Sequence, residues 1–600
     1  MTDPTIPGPA TARLRPDVVV IMTDEERAAP VYEPDTLQAW RRETLTGRRW
    51  FDDHAVTFTS HYTGSLACVP SRPTIFTGHY PDLHGVTQTD GLGKDADDSR
   101  LRWLREGEVP TLGHWFRAAG YDTHYDGKWH ISHADLHDAD GNVLATNDDD
   151  GNVDAAAVQA YLDADPLDPF GFSGWVGPEP HGGLLANSGT RRDPLIAARV
   201  VAWLEDRYRR RALGDPDALR PFLLVASFVN PHDIVLFPVW ARRGGPLTPG
   251  PHDPPPVPPA PTVDEDLASK PRAQAAYRSS YPSGYGPPDV IAPVYADQAQ
   301  AYRDLYYRLH HEVDGPLDAV RRAVQGNAVI VRTADHGDLL GAHGGLHQKW
   351  FNLYDECTRI PFQVARIGDQ TTTARQVDAL TSHVDIVPTL LGAAGIDCEA
   401  VAAELRERFS EVHPLPGRDL MPVVDGAAAP EAARSVYLMT RDNILEGDTG
   451  ASAVARALGL HGETLTPEFR IRVPADVGTN FEAVIGPVSE DDAPGGAGHR
   501  WKLVRTFDDP ATWTEPFVRH LAGTVPGDEH HRSEPLDDEW ELYDLTVDPI
   551  EADNRQGDPT AAAVFAHLRV RLVAARDEHI PPRYRPWPYV SQGVTTGAGG

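Results

Sequence analysis

The sequence predicts an α/β fold in which a large, mostly parallel sheet is flanked by helices and followed by a smaller C-terminal unit of strands and a helix. Three observations support this prediction: apolar runs that end in polar residues, helical patterns between those runs, and a change of texture near residue 430. Strands of a parallel sheet are buried on both faces, so they are apolar along their whole length.

Three apolar, β-branched runs predict buried strands, and they span residues 18–22, 222–228 and 327–331. Helical patterns occur at residues 111–119, 195–212 and 295–324. Each apolar run ends in a cluster of polar side chains. Ligands of such folds bind at the carboxyl edge of the sheet, so we expect these polar clusters to face one site.

The chain divides into a main domain, a smaller subdomain and a tail. Residues 1–430 form the predicted main domain, which is interrupted at residues 244–293 by a surface excursion rich in proline and glycine. The subdomain, residues 431–580, is predicted from strand-like pieces at 435–439, 469–473, 500–504 and 539–543 and from a helix at 559–575. Residues 581–600 are predicted to form an extended tail.

The composition is typical of a soluble globular protein, with 40% of the 600 residues hydrophobic and 24% charged. The 55 basic and 88 acidic residues give a net charge of −33, which argues against nucleic acid or an anionic membrane as a partner. We find no signal peptide and no run of about 18 apolar residues, and we expect a cytoplasmic protein. The three cysteines, Cys68, Cys357 and Cys398, are too few for a disulfide framework.

The most specific motif begins at Cys68 and reads Cys-Val-Pro-Ser-Arg, ending at Arg72. It resembles the C-x-P-S-R signature of the formylglycine-dependent sulfatases, a family of the alkaline phosphatase superfamily. The resemblance implies that a formylglycine-generating enzyme oxidises Cys68 to an aldehyde, whose hydrated diol attacks sulfur, and that Arg72 orients this diol. Apolar residues after Arg72 favour a helix whose N-terminus carries Cys68 and attracts anions. A buried structural cysteine beside a proline turn is the alternative for the pentapeptide alone.

Two further motifs follow in the order that this family shows. Gly-Lys-Trp-His at residues 127–130 is similar to the family's GKWH strand end, which implies that Lys128 bridges the nucleophile and the sulfate and that His130 acts as a base on the diol. A spacing of two on an extended segment places both side chains on one side. Pro-His at His232 resembles the family's element next to the leaving-group oxygen, where an imidazole acts as a general acid and Asp233 is a candidate to orient it.

The predicted metal ligands are Asp24, Glu25, Asp335 and His336. Oxygen ligands suit Ca²⁺, Mg²⁺ or Mn²⁺, and the imidazole leaves room for Mn²⁺ or Zn²⁺. The resemblance favours Ca²⁺, with Mn²⁺ or Mg²⁺ as alternatives. The family usually has Asp or Gln where Glu25 stands, so Glu25 is a departure that leaves its coordination open, and Glu26 is the alternative side chain to point inward.

The segment at residues 333–356 contains Asp-His-Gly-Asp and His-Gly-Gly-Leu-His-Gln-Lys-Trp, which resemble the metal-binding segment and the downstream lysine of bacterial arylsulfatases. Lys349 is thereby implied as a second cation for the sulfate oxygens. Glu-Leu-Tyr-Asp-Leu at residues 541–545 extends the resemblance into the C-terminal part. The resemblance as a whole implies an alkaline phosphatase-like fold, a sulfatase catalytic domain over residues 1–430, and hydrolysis of a small-molecule sulfate monoester by an arylsulfatase-like enzyme.

Two other functions remain open at this point. A phosphonate monoester or phosphodiester hydrolase of the same superfamily would use the same aldehyde, although such enzymes tend to replace the GKWH pair that Lys128 and His130 retain here. A non-catalytic anion-binding protein would keep the cavity and lose the reaction. The residues leave the sulfated alcohol and the oligomeric state unspecified, and we expect loops such as residues 87–90 to recognise the alcohol.

Overall fold

The structure is a computed structural model of the chain. It describes residues 15–98, 101–180, 184–243, 252–474, 476–509, 519–521, 530–532 and 534–585. Residues 586–600, which make up most of the predicted tail, lie outside this part.

A seven-stranded sheet forms the centre of the main domain, in the order β3-β4-β1-β5-β6-β2-β7. Its strands are β1 (Asp17–Asp24), β2 (Val56–Tyr62), β3 (Asp122–Gly127), β4 (Phe222–Pro231), β5 (Ala328–Ala334), β6 (Phe362–Ile367) and β7 (Arg375–Ser382). β6 runs antiparallel to both of its neighbours, while the other paired strands are parallel. The prediction of a mostly parallel sheet is confirmed.

The apolar run of β1 is buried because helices cover both faces of the sheet. Val18, Val20 and Met22 belong to one hydrophobic cluster, whereas Val19 and Ile21 belong to another on the opposite face. Successive side chains of a strand point to opposite faces, so a strand between two layers must be apolar at every position. This is the physical origin of the continuous run in the sequence.

Helices of seven or more residues in the described part of the chain are α1 (Asp35–Thr44), α2 (Thr46–His54), α3 (Cys68–Thr77), α4 (Leu112–Ala118), α5 (Ala155–Ala164), α6 (Gly189–Ala212), α7 (Phe237–Arg243), α8 (Arg272–Ser280), α9 (Pro288–Asp297), α10 (Ala299–Ala323), α11 (Ile386–Ala393), α12 (Cys398–Leu405) and α13 (Ala562–His579). α6 and α10 pack on one face of the central sheet, and α3, α4 and α11 pack on the other. The helix predicted at residues 295–324 is divided at Gln298, which separates α9 from α10.

The C-terminal part contains a four-stranded antiparallel sheet in the order β13-β10-β9-β8, against which α13 packs. Its strands are β8 (Val436–Thr440), β9 (Asn480–Val488), β10 (His499–Phe507) and β13 (Glu539–Asp544), and a two-stranded ribbon consists of β11 (Arg519–Leu521) and β12 (His530–Arg532). The strand predicted at residues 469–473 is wrong. Ile471 and Val473 are buried there, but the backbone pairs through a bridge between Arg470 and Ala451 rather than through a ladder.

Residues 244–293 were expected to form an irregular surface excursion. Over the described residues 252–293, the structure contains α8 and most of α9. Tyr277, Tyr281 and Tyr285 are buried in the hydrophobic core there. Their spacing of four places them on one side of consecutive helical turns, a pattern that the surrounding prolines hide in the sequence. The side-chain amide of Gln348 lies within hydrogen-bond distance of the hydroxyl groups of Tyr281 and Tyr285, so this segment packs directly behind Lys349.

Among the described residues, no single helix has the length and apolar character needed to cross a membrane. One pair, His383–Ala393 with Cys398–Leu405, meets that test only when joined across a bend of 108°. The apolar character of this pair is explained by packing in the core, because Ile386, Val387 and Leu405 are buried beside the central sheet.

Candidate active site

Polar side chains that follow four neighbouring strands meet at the carboxyl edge of the central sheet. Asp24 ends β1, Lys128 follows β3, His232 follows β4 and Asp335 follows β5. Because these strands are adjacent and parallel, their ends lie side by side. The chain thus brings residues that are more than 300 positions apart into one cluster.

Cys68 is the first residue of α3, and its side chain lies against this cluster with 1% of its surface exposed. Its Sγ lies 3.1 Å from His336 Nε2, 3.6 Å from Asp24 Oδ1 and 3.9 Å from Lys128 Nζ. Burial, together with the Asp24 carboxylate, raises the pKa of the thiol to about 12. An uncharged thiol is a weak nucleophile, so the unmodified side chain is poorly suited to attack a substrate.

Arg72 lies one turn further along α3, is fully buried, and connects the ends of four strands. Its Nε donates to Asp335 Oδ2 at 2.9 Å, and its Nη2 donates to Asp24 Oδ2 at 2.7 Å. Its Nη1 donates to the backbone oxygen of Lys128 at 2.6 Å and to Ser227 Oγ at 3.0 Å. The planar guanidinium suits this role because its donors point in fixed directions.

The Lys128 ammonium lies 2.8 Å from Asp24 Oδ2, and both side chains are fully buried. Burial opposes the charge of Asp24, but the surrounding cations, led by Lys128, hold its pKa well below the ordinary value. Burial likewise opposes the charge of Lys128, yet the Asp24 carboxylate raises the pKa of that ammonium. The site therefore carries fixed charges of both signs.

Glu25 and Lys349 form a second buried ion pair beside the first. Glu25 Oε2 lies 2.8 Å from Lys349 Nζ, while Glu25 Oε1 is buried and has no hydrogen-bond partner among the described residues. Burial raises the pKa of Glu25 well above its ordinary value; Lys349 opposes this shift and Asp338 adds to it. A buried carboxylate oxygen without a partner is costly, and it is a candidate ligand atom for a cation.

Three of the four predicted metal ligands, Asp24, Asp335 and His336, are close enough to share one ion, and Glu25 belongs to a second group that shares Asp24. Two overlapping groups have all of their donor atoms within 4.8 Å of one another: Asp24, Cys68, Asp335 and His336 in one, and Asp24, Glu25 and His232 in the other. Carboxylate oxygens with an imidazole suit a hard or intermediate divalent cation. Together with the unpartnered oxygen of Glu25, this donor set fits a divalent metal.

Glu26, the alternative inward side chain, points away from this cluster. Its Oε2 accepts hydrogen bonds from Thr23 Oγ1 at 2.7 Å and from Arg48 Nη2 at 2.8 Å, and its Oε1 contacts Arg332. These partners hold Glu26 in an ion-pair network, so Glu25 is the side chain that faces the site.

The two remaining predicted site residues are His232 and His130, and both are buried. His232 shares the donor group of Asp24 and Glu25, and 8% of its surface is exposed. The idea that Asp233 orients His232 is not supported, because the Asp233 carboxylate accepts the amides of Gly189 and Thr190 at the start of α6.

His130 is held in a tight turn after β3, where its φ is +54°. Its Nε2 lies 2.7 Å from Asp90 Oδ1, and its amide donates to Glu179 Oε2 at 2.9 Å. Asp90 belongs to the loop at residues 87–90, which is predicted to recognise the substrate alcohol, and it contacts a predicted catalytic side chain.

The C-terminal part forms one wall beside the site. The amide of Thr89 donates to Asp442 Oδ1 at 3.1 Å, and the indole of Trp350, next to Lys349, donates to Asp442 Oδ2 at 2.9 Å. The side-chain amide of Gln88 donates to the backbone oxygen of Arg441 at 2.5 Å. Residues that follow β8 thus adjoin both the 87–90 loop and the lysine segment.

Sequence reasoning missed three residues that touch this site: Ser227, Glu179 and Asp193. Ser227 receives a hydrogen bond from Arg72, whereas Glu179 accepts a backbone amide of the turn after β3 and Asp193 accepts one near the end of β4. Ser227 lies inside the apolar run at residues 222–228, so a single hydroxyl in that run was the signal in the sequence that could have identified it. The two acids contact only backbone groups there, so no side-chain motif accompanies them.

A carboxyl edge that gathers acids, lysines and a buried cysteine is suited to binding and hydrolysing an anionic ester. The model of the sulfatase family matches residues 16–396, and the chain therefore belongs to the sulfatase family of sulfuric ester hydrolases. This confirms the family and the enzyme class expected from the motifs.

Curated relatives and solved structures agree with this assignment. The chain is 27% identical over 410 residues to the uncharacterised sulfatase YidJ of Escherichia coli, covering 64% of this chain and 68% of the relative. It is 26% identical over 436 residues to a choline-sulfatase of Rhizobium meliloti, covering 70% and 74%. A putative sulfatase from Bacteroides thetaiotaomicron has the same fold, with a TM-score of 0.55, 19% identity and 96% of each chain covered. A phosphonate monoester hydrolase of Agrobacterium radiobacter shares the fold too, at TM-score 0.54, 20% identity and coverage of 94% of this chain and 96% of that one.

Proposed function

We propose that this sulfatase is an arylsulfatase-like hydrolase of small-molecule sulfate monoesters whose nucleophile is a formylglycine made from Cys68. The observation that carries this proposal is the position of Cys68 Sγ, which lies at the start of α3 within 3.9 Å of Lys128, Asp24 and His336. An atom bonded to Cβ of residue 68 therefore lies next to the cation that would hold a sulfate and beside the predicted metal ligands.

In maturation by a formylglycine-generating enzyme, Cβ of Cys68 gives two electrons to an external oxidant, the C–S bond breaks with sulfur leaving as sulfide, and water supplies the oxygen of the aldehyde. A second water then adds to the aldehyde. One hydroxyl of the diol attacks the sulfur of the ester, and the bond between sulfur and the alcohol oxygen breaks. The second hydroxyl then loses its proton, the aldehyde carbonyl re-forms, and sulfate departs with the oxygen that attacked. Rehydration of the aldehyde completes a cycle whose net reaction consumes one water.

Buried cations supply most of the binding for the sulfuryl group in this proposal. Lys128 and Lys349 are both within the buried cluster, and each ammonium lies 2.8 Å from a carboxylate that fixes its position. Preorganised charges in a site without water stabilise developing negative charge strongly. The Arg72 fork orients the diol, since it connects Asp24, Asp335 and the backbone of Lys128.

Asp24, Glu25, Asp335 and His336 would hold a divalent cation, with Ca²⁺ favoured and Mn²⁺ or Mg²⁺ as alternatives. When bound, such a cation neutralises the sulfate oxygens and favours ionisation of the diol.

Proton transfers are assigned to His232 and His130. His232 donates a proton, or a hydrogen bond, to the departing alcohol oxygen, and His130 accepts the proton of the second hydroxyl. The carboxylate of Asp90, 2.7 Å from His130 Nε2, favours the protonated imidazole that this step creates.

The experiment is mass spectrometry of the peptide containing Cys68, combined with turnover of a sulfate-ester panel, on protein matured by a formylglycine-generating enzyme. The panel includes 4-nitrophenyl sulfate, choline sulfate and a sulfated unsaturated uronide, because curated relatives are named a choline-sulfatase and a Δ4,5-hexuronate-2-O-sulfatase. We expect the aldehyde at residue 68, hydrolysis of at least one ester, and no turnover by Cys68→Ala. Faster hydrolysis of phenylphosphonate esters than of every sulfate would overturn the proposal, as would equal activity of the alanine variant.

A further inference from the structure

Two buried carboxylates that the proposed mechanism does not use, Glu179 and Asp193, support the turns that carry the predicted catalytic residues. Each accepts hydrogen bonds from two consecutive backbone amides at the carboxyl end of a central strand. Neither forms an ion pair with a described residue. A buried carboxylate without a cation is costly unless hydrogen bonds stabilise it. For both acids, the amides that supply these hydrogen bonds lie within three residues of a predicted catalytic side chain.

Glu179 acts on the turn after β3. Its Oε2 accepts the amides of Trp129 at 3.2 Å and His130 at 2.9 Å, while its own amide donates to Asp135 Oδ1 at 2.6 Å. These bonds hold a turn in which His130 has a φ of +54°, an uncommon conformation for a residue with a side chain. Lys128 and His130 flank the amide of Trp129, so the direction of both side chains depends on this turn.

Asp193 acts in the same way on the last residues of β4. Its Oδ1 accepts the amide of Val229 at 2.7 Å and its Oδ2 accepts the amide of Asn230 at 3.0 Å. Asp193 is 1% exposed and belongs to α6. The backbone that it holds leads into His232, two residues beyond Asn230.

Arg192, the neighbour of Asp193 on α6, connects the two supports. Its Nη2 donates to the backbone oxygens of Val176 at 3.2 Å and Pro178 at 3.0 Å, directly before Glu179. The Arg192 side chain is buried, and its other described hydrogen bonds go to Thr146 and Asn147. One helix thus fixes Asp193 directly and Glu179 through Arg192.

We propose that Glu179 and Asp193 are positioning residues of the sulfatase reaction, which set the directions of Lys128 with His130 and of His232, respectively. The proposal rests on the catalytic roles assigned above to those three side chains. Displacement of a catalytic group by about 1 Å can lower a rate by about 100-fold. Loss of either support is therefore expected to act on turnover and not only on folding.

The first test compares Glu179→Ala with Glu179→Gln in the matured, metal-loaded protein. Glutamine keeps a carbonyl oxygen that can accept the two amides, whereas alanine removes it. We expect Glu179→Ala to lower kcat/KM for 4-nitrophenyl sulfate by about 10- to 100-fold and Glu179→Gln to recover it to within about 5-fold of the parent. Thermal unfolding and far-UV circular dichroism establish that the variants are folded.

The second test uses the leaving group to separate the two supports. Because Asp193 positions the proposed general acid, Asp193→Ala is expected to slow hydrolysis of an alkyl sulfate at least about 10-fold more than that of 4-nitrophenyl sulfate, whose anion leaves without a proton. Glu179→Ala is expected to slow both substrates by a similar factor. Asp397→Ala is the matched control, since Asp397 accepts the amides of Glu399 and Ala400 at 3.1 Å on a helix that carries no predicted site residue.

A third measurement distinguishes failure of this proposal from failure of the proposed function. Calorimetry with inorganic sulfate reports the position of Lys128 without any turnover, and Glu179→Ala is expected to weaken sulfate binding at least about 5-fold while Asp397→Ala leaves it unchanged. Parent protein that binds sulfate but hydrolyses no ester would refute the proposed function alone. Folded Glu179→Ala and Asp193→Ala variants with parental sulfate affinity and parental kcat/KM for both substrates would overturn the positioning role.

Discussion

Lys349 Nζ lies 2.8 Å from Glu25 Oε2, and both side chains are at most 1% exposed. Removing one partner of a buried ion pair leaves the other charge without compensation. Lys349→Ala is therefore expected to lower the free energy of unfolding of the metal-free protein by about 3 kcal/mol, measured by chemical denaturation in a chelator. The double variant Lys349→Ala/Glu25→Gln is expected to recover most of this loss, because it removes the stranded carboxylate.

Both variants are expected to lack sulfatase activity, since Lys349 is proposed to bind the sulfate. Lys502→Met is a suitable comparison: Lys502 is fully buried and lies 2.8 Å from Glu551 Oε1, away from the site. It should lose stability while its folded fraction keeps the parental kcat. Unchanged stability of Lys349→Ala would show that the Glu25–Lys349 pair contributes nothing in the metal-free state.

His232→Ala is expected to discriminate between leaving groups. A general acid matters most when the departing oxygen is strongly basic, so the variant should lose about 100-fold or more in kcat/KM for an alkyl sulfate and about 10-fold or less for 4-nitrophenyl sulfate. Steady-state kinetics across a series of aryl sulfates measures this effect, because kcat/KM of the variant should depend more steeply on the pKa of the leaving alcohol than kcat/KM of the parent does. A uniform loss across the series would exclude His232 as the acid.

Removal of divalent cations is expected to abolish turnover and to lower thermal stability. A cation that binds only the folded protein stabilises it by about 2.7 kcal/mol at a concentration 100 times its Kd. Titration of chelator-treated protein with Ca²⁺, Mg²⁺ or Mn²⁺ should therefore raise Tm, and Ca²⁺ should do so at the lowest concentration. Glu25→Gln should move the midpoint of the Ca²⁺ titration to about 10-fold higher concentration. A Tm that does not respond to any of the three ions would contradict the assigned ligand set.

The His343 imidazole predicts a loss of stability at alkaline pH. Its Nδ1 lies 3.2 Å from Glu265 and its Nε2 lies 3.4 Å from Glu356. Burial opposes its charge, but these carboxylates raise the pKa of His343 to about 9, above the ordinary 6.5. Burial also opposes the charge of Glu356, yet His343 and other nearby groups lower the pKa of that carboxyl to about 2.

The folded state therefore binds the His343 proton more tightly than the unfolded chain does. This contribution is complete below pH 6.5 and is lost as the pH rises through about 9, and it amounts to at most about 3 kcal/mol. Denaturant unfolding from pH 6 to pH 10 measures it. His343→Gln should lack this alkaline decline; parallel curves for parent and variant would refute the assignment.

The sequence predicts β1, β4 and β5 because strands buried on both faces are apolar without interruption. β2 and β7 carry polar residues at several positions, so the same criterion misses them. The antiparallel direction of β6 could not be predicted from its residues, because the direction of a strand depends on the path of the segments that connect it to its neighbours and not on residue type.

The candidate site follows the same division. Cys68, Arg72, Lys128 and Lys349 are predictable because their side chains act directly and keep fixed neighbours in the chain. Glu179 was not predicted because an acid that accepts backbone amides requires only a suitable place in the fold, which depends on contacts across the sequence.

The burial of Cys68 has a consequence for the order of events during synthesis. In the folded protein an enzyme has no access to a side chain that is 1% exposed, so the proposed oxidation has to precede closure of the pocket. His336, which contacts that thiol, follows it by 268 residues, and at about 5–20 residues per second a ribosome needs roughly 13 to 54 s to make them. The distance along the chain thus leaves Cys68 accessible, during synthesis, to the enzyme that is proposed to oxidise it.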